Sequence, residues 1–278
     1  MKKLIIDLRS SQLPESWDEL TEKQFMRACF VRAQHFHDSD DIALNASRIV
    51  LFRILTGTPL RRIGKISAAE WLDILPHMNF IFSTPVLSKN PVQVIHVPKL
   101  GKLYGPQGML DNSMFDELIT ADRHFTQANL EGEEQLIRFY KLFCTLWRPE
   151  RKDIKQFRSD TEKWNGDNRE PINSNLINDR AQLLMQHLPL WKVLPAFIYY
   201  WAFRSSTLEK EYPKIFEKSS GSGTGVNYGW AGFLLEISGS KFGDFQNTST
   251  QHWRIILTDA SREIDKADEL ERKRNKKS

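Results

Sequence analysis

The sequence predicts a mainly α-helical, multi-helix globular protein with a small β-hairpin or three-stranded sheet insertion. Apolar residues recur at three- and four-residue spacing along most of the chain. Two Ser/Thr-x-x-Glu/Gln capping boxes, Thr21 with Gln24 and Ser67 with Glu70, mark helix starts. Runs rich in β-formers are confined to the first residues and to a stretch punctuated by proline and glycine near 85–110.

The opening KLIIDL reads as a short strand, expected to join the later hairpin as a third member. Behind the first capping box, Phe25, Ala28, Cys29 and Val31 give a helix its apolar side. The run 41–56 is a second helix, its apolar side assigned to Ile42, Ala46, Ile49, Val50, Arg53 and Ile54, ended by Gly57 and Pro59. Ser67 starts a third helix that Pro76 should kink or end. Between 91 and 105, VQVIHV and KLYG form the hairpin, turning at Pro98–Gly101. Two helices follow, over 112–129 and 131–147; the second carries Leu136, Phe139, Tyr140, Phe143 and Trp147 as its apolar stripe.

These elements suggest an N-terminal helical region over 1–147 with its hairpin near 91–105, a polar excursion over 148–175, and an apolar helical region over 176–218. Pro189 and Pro195 should divide that apolar region. A flexible Gly/Ser joint is expected at 219–227, and a C-terminal helical element with a charged tail over 228–278. A short helix from about Trp230 should stop at Gly239, and a long one should begin near Thr248 with Trp253, Ile256, Leu257, Ala260 and Ile264 inward.

Composition narrows the function. The chain has 278 residues, of which 40% are hydrophobic, and 39 Lys and Arg against 35 Asp and Glu, much of the +4 excess lying in the terminal ERKRNKKS. That is not the charge of a surface that coats nucleic acid. Cys29 and Cys144, far apart and each within an apolar helical pattern, read as buried small hydrophobes of a reducing compartment. Neither a signal-peptide core nor a run of roughly 20 apolar residues appears, so the cytoplasm is the expected location.

Residues 219–238, SSGSGTGVNYGWAGFLLEIS, place Gly221, Gly223, Gly225 and Gly229 before an apolar run. A phosphate loop needs a preceding strand and a Gly-Lys-Ser/Thr ending. Val226 and Asn227 stand where the lysine and hydroxyl would be needed, and the preceding EKEYPKIFEK is charged and helix-like, so a joint is the simpler reading. His35, His37, Asp38, Asp40 and Asp41 are of metal-ligand type and define a hydrolase hypothesis, although a solvated loop explains them without one. The carboxylate pairs at 18–19, 116–117 and 133–134 fall at helix starts, where the helix dipole accounts for them. The remaining histidines are scattered singly, so no catalytic residue, cofactor or metal is assigned.

Two stretches resemble proteins from tail-gene clusters of tailed bacteriophages and prophages, a poorly characterised group. LPESWDELTEKQFMRACFV, residues 13–31, is similar to a Pro-x-Ser-Trp-x-Glu-Leu-Thr opening; residues 112–153 resemble an aromatic-rich helix followed by one ending in Leu146, Trp147, Arg148 and Pro149. GWAGFLLEISGSKFGDFQNT, residues 229–248, is similar to an arrangement in that group and in some tail assembly chaperones. Where the group carries a more aromatic, glycine-containing step, this chain has Leu118 and Ile119. The resemblance implies a non-enzymatic morphogenesis protein, a tail assembly accessory or chaperone, that binds tail or other virion proteins in the bacterial host cytoplasm or in the particle. It supplies no catalytic residues. The expected partner-binding residues are Tyr228, Trp230, Phe233, Phe242, Phe245 and Trp253. The alternative is a nucleic-acid-binding accessory protein of a phage or mobile element, using basic residues at 148–158 and 272–277.

Overall fold

The computed structural model describes residues 2–6, 9–34, 41–128, 133–162, 164–217, 233, 237–239 and 241–276. Two strands come first, β1 (Lys2–Ile6) and β2 (Arg9–Leu13), paired antiparallel from Lys2 opposite Leu13 to Ile6 opposite Arg9. Residues 3–6 of the expected first strand therefore pair with Arg9–Gln12, not with the later hairpin: of the two expected forms the hairpin holds and the three-stranded sheet does not, two separate two-stranded sheets standing in its place. A partner so close in sequence closes a far smaller loop than one some ninety residues on, and so costs less chain entropy.

Trp17 lies in the short 3₁₀ turn Trp17–Glu19, where it is buried, donates from Nε1 to the Phe80 carbonyl at 3.0 Å and meets Phe25 and Phe80 edge-on. α1 (Glu22–Ala33) begins at the expected capping box: Thr21 accepts from Gln24 N–H while the Gln24 side chain accepts from Thr21 N–H at 2.9 Å. The Gln24 amide also donates to the Leu55 carbonyl at 2.6 Å, satisfying an acceptor at the end of the next helix.

That helix, α2 (Asp41–Thr56), has the expected span and ends at Gly57, whose φ of +68° is readily adopted only by glycine. Its inward face differs from the expected one. Leu51, Phe52 and Leu55 are buried, whereas Ile49 and Val50 are 38% and 52% exposed. Isoleucine, valine and leucine occur on both sides of this helix, so periodicity alone could not say which side faces the core.

α3 (Leu60–Ile63) leads to α4 (Ala68–Ile74), started by the Ser67–Glu70 capping box; Pro76 then converts the helix to a 3₁₀ segment, Leu75–Ile81. β3 (Val94–Val97) and β4 (Gly101–Tyr104) form the expected hairpin, with Lys99 and Gly101 at positive φ in the turn. Tyr104 and Arg148 exchange backbone hydrogen bonds of 2.8 and 3.1 Å, joining this hairpin to the end of a later helix. At Gly105 the approach is so close that a Cβ would lie 2.6 Å from both Asn90 Nδ2 and Trp147 Nε1.

α5 (Phe115–Gln127) and α6 (Glu133–Leu146) pack against each other, and α6 also packs on α8 (Ser174–His187) and α9 (Leu194–Phe203). Between α6 and α8 lies the short α7 (Ile154–Ser159). On α6, Phe139, Tyr140 and Phe143 are inward as expected, as is Trp147 just past its end, but Leu136 is exposed. Pro189 and Pro195 divide the apolar region as expected, Pro195 standing in the first turn of α9. Every residue of α9 except Trp201 is buried, which explains its uniformly apolar composition. Its polar tips all have partners: Tyr199 Oη accepts from Leu110 N–H at 2.9 Å and lies 3.1 Å from the Gly108 carbonyl, and Tyr200 Oη lies 3.2 Å from Asp122.

A π-helical turn, Arg204–Leu208, leads through α10 (Glu209–Glu211) to α11 (Pro213–Glu217). The expected long terminal helix is present as α13 (Trp253–Asn275), starting a few residues later than expected; a separate short helix, α12 (Phe245–Ser249), precedes it, and Asp244 and His252 cap the two. The start of α13 is fixed to the body: Phe115 N–H donates to Gln251 O at 2.8 Å, and Trp253 Nε1 donates to Leu110 O at 2.8 Å. Trp253, Ile256 and Leu257 are wholly buried, so the C-terminal element completes the core of the preceding helices.

Candidate functional site

Three polar or apolar constructions stand out from the packed core. The first is a buried ionic cluster where the sequence suggested an excursion. Arg169 is 2% exposed and donates from Nη1 to Glu117 Oε1 at 2.7 Å and from Nη2 to Glu117 Oε2 at 3.0 Å. Its Nε donates to Asp167 Oδ1 at 2.7 Å, and its Nη1 also reaches the Leu146 carbonyl at 2.7 Å. Arg148 adds bonds of 3.0 Å to Glu117 and 3.3 Å to Asp167. Burial opposes charge on Arg169, but the Glu117 and Asp167 carboxylates outweigh it and raise the guanidinium above its ordinary range.

Two cations thus balance two anions in a site closed to solvent, which is a cross-brace between α5, the end of α6 and the segment before α8. It corrects three expectations. The 148–175 stretch is held by buried bonds at Arg148, Asp167 and Arg169, and Arg148 is unavailable to a nucleic-acid backbone. Glu117 is also no simple helix-dipole residue, being the anion both arginines share. Its neighbour Asp116 is half-buried; desolvation first, then the Glu117 charge, pushes its carboxyl up to about 6.

The second construction is His124 on α5. It is 7% exposed, and its Nδ1 makes no hydrogen bond among the described residues. Burial, reinforced by Arg138, Lys141 and Arg123, lowers its pKa to about 3 and keeps the ring neutral. Both cysteines are buried thiols, and burial pushes Cys144 up to about 12, which suits packing rather than nucleophilic chemistry.

The third is an apolar cleft of about 700 Å³ between α11, the residues Phe233, Ile237, Lys241 and Phe242, and α13. Ile215, Phe233, Ile237, Phe242 and Ile264 line it. At its rim Lys214 pairs with Asp265 and Asp268 at 2.6 and 2.9 Å, and Lys241 with Asp259 and Glu263, both at 2.9 Å. An apolar floor within a charged rim is the layout of a protein interface.

Of the expected partner-binding residues, Phe233 and Phe242 line this cleft, and Phe233 also lies 6.1 Å from the Phe115 ring. Trp253 is a core residue, wholly buried and edge-on to Phe203 at 5.3 Å, so a partner cannot reach it in this conformation. Phe245 opens α12. Tyr228, Trp230, the Gly/Ser stretch 219–227 and the His35–His37 pair lie outside the described residues. No group of histidine, cysteine and carboxylate side chains suited to a metal occurs among the described residues, and no described helix is long and apolar enough to cross a membrane.

Comparison with family models, with curated proteins and with solved structures found no match. Of the residues on which the expected resemblance to phage tail-cluster proteins rests, Trp17, Phe25, Trp147 and Arg148 are buried and serve the fold.

Proposed function

We propose that this chain is a non-enzymatic protein-binding component of phage or prophage morphogenesis, an accessory or chaperone of tail assembly. The observation that carries the binding role is the apolar cleft floored by Phe233, Ile237, Phe242 and Ile264 and rimmed by the Lys214 and Lys241 ion pairs. The resemblance at 13–31, 112–153 and 229–248 supplies the setting. Its partners are tail or other virion proteins met in the host cytoplasm, and the complex either disperses after assembly or stays in the particle.

Removing everything after Ser238 is a poor test, because it deletes Trp253, Ile256 and Leu257 from the core. Point variants at the cleft are better. Phe242→Ser and Ile264→Glu should abolish co-purification with tail proteins encoded by neighbouring genes while leaving the helical circular dichroism unchanged. Undiminished capture by both variants would overturn the assignment of the cleft.

The alternative, a nucleic-acid-binding accessory protein, keeps the exposed Arg272, Lys273, Arg274 and Lys276 at the end of α13. It predicts a gel shift that weakens steeply with salt and is lost when these four are neutralised.

A further inference from the structure

A second groove, built from elements other than those of the C-terminal cleft, lies between α1 and α2 and encloses about 740 Å³. Lys23 and Arg27 line it from α1, and Val50, Arg53 and Ile54 from α2. The Gln24 amide, bonded to the Leu55 carbonyl at 2.6 Å, fixes the two helices at that end, so the groove is preformed.

Its lining is cationic. Some surface cations, Lys214, Lys241, Arg151 and Arg254 among them, each hold a carboxylate. Lys23, Arg27 and Arg53 are exposed, and among the described residues they have no ion pair and no carboxylate lines the groove with them. Three like charges left together repel one another, a cost that a negatively charged occupant would reverse.

The groove also has an apolar side. Val50 is 52% exposed and Ile49 38%, the side of α2 that faces away from Leu51, Phe52 and Leu55. On α1, Phe30 is 41% exposed and stands seven residues, close to two full turns, beyond Lys23, hence on the same side of the helix. A polyphosphate or nucleic-acid strand would satisfy the cations and leave this apolar strip in water. An acidic amphipathic helix would cover both, its carboxylates on Lys23, Arg27 and Arg53 and its aliphatic side chains on Val50 and Ile54.

We propose that the α1–α2 groove docks an acidic, amphipathic helical segment of a partner protein, independently of the C-terminal cleft. The test uses the full chain and a fluorescently labelled synthetic helical peptide of about four turns, with leucines on one side and glutamates flanking them, read by anisotropy. The same peptide with lysine for glutamate and a single-stranded oligonucleotide serve as comparison probes.

The glutamate peptide should bind, and the double variant Arg27→Glu with Arg53→Glu should weaken it at least about tenfold, since it replaces attraction by repulsion. Val50→Ser should weaken it several-fold, whereas Phe242→Ser in the C-terminal cleft should leave it unchanged. All these positions but Phe242 are exposed, and an unaltered melting temperature of the groove variants certifies their fold. Equal binding of glutamate and lysine peptides, or no binding of the glutamate peptide, would overturn the proposal. So would tight oligonucleotide binding indifferent to Val50→Ser, or concentration-dependent dimerisation abolished by the double charge reversal, which would make a second copy the occupant.

Discussion

Arg169 and Glu117, 52 residues apart in sequence, meet through two guanidinium–carboxylate hydrogen bonds of 2.7 and 3.0 Å in the interior of the protein. A forked pair of this kind holds direction as well as distance, because each N–H must point at its own carboxylate oxygen. Isolated burial of either ion would be prohibitive; with Asp167 and Arg148 completing the set, the charges cancel where solvent cannot screen them.

Removing one partner should therefore cost far more than a surface pair. Arg169→Met leaves Glu117 and Asp167 facing Arg148 alone, and a loss of about 3–5 kcal/mol is expected by urea denaturation. Arg169→Lys should recover little, since an ammonium cannot make the fork. The double variant Glu117→Gln with Arg169→Met should lose less than the sum of its singles; strict additivity would show that the two residues are not coupled.

This brace also shows where sequence reading stops. Capping boxes and prolines act within a few residues, so Thr21–Gln24, Ser67–Glu70, Pro76 and Pro195 announced their elements correctly. The polar 148–175 stretch has the composition of a solvated loop, and nothing within it reveals that its arginines reach Glu117, 31 and 52 residues away. Trp253 illustrates the same limit at the candidate site: an aromatic at helical spacing has one signature whether it faces a core or a partner. The groove cations were equally silent, because Lys23 and Arg53 become neighbours only when α1 and α2 pack, and an absent ion pair leaves no trace in the chain.

The two sides of α2 should differ sharply in their sensitivity to substitution. Phe52 is wholly buried and edge-on to Trp71 at 5.3 Å, so Phe52→Ala should destabilise by about 3–5 kcal/mol through lost burial and a cavity. Val50→Ser, on the exposed side, should stay within about 0.5 kcal/mol. Thermal melts of the two proteins would check the rotation of this helix, and comparable losses would contradict it.

Asp116 gives a stability term that favours acid. Its folded pKa, raised from 3.8 to about 6, means that the native state holds the proton more tightly than the unfolded chain. The associated stabilisation is complete below about pH 4 and disappears as pH rises through 6. Asp116→Asn keeps an oxygen able to accept the 2.6 Å bond from Glu117 N–H and removes the charge. It should stabilise the protein at pH 7 to 8 by about 1–3 kcal/mol and by much less at pH 4, measured as paired urea midpoints.

His124 works in the other direction. In the unfolded chain its imidazole takes up a proton near 6.5, while in the folded protein burial and the charges of Arg138, Lys141 and Arg123 hold it neutral down to about 3. Between those values the unfolded state binds more protons, so this residue's contribution is fully present above 6.5 and is lost progressively as pH falls towards 3. Because Nδ1 has no hydrogen-bond partner among the described residues, an apolar side chain of similar size removes the titration without orphaning a bonded group. His124→Leu should therefore match the parent protein closely at pH 8 and exceed it increasingly from pH 6 to pH 4. A parallel pair of stability curves across that range would show that His124 titrates alike in both states and would refute the assignment.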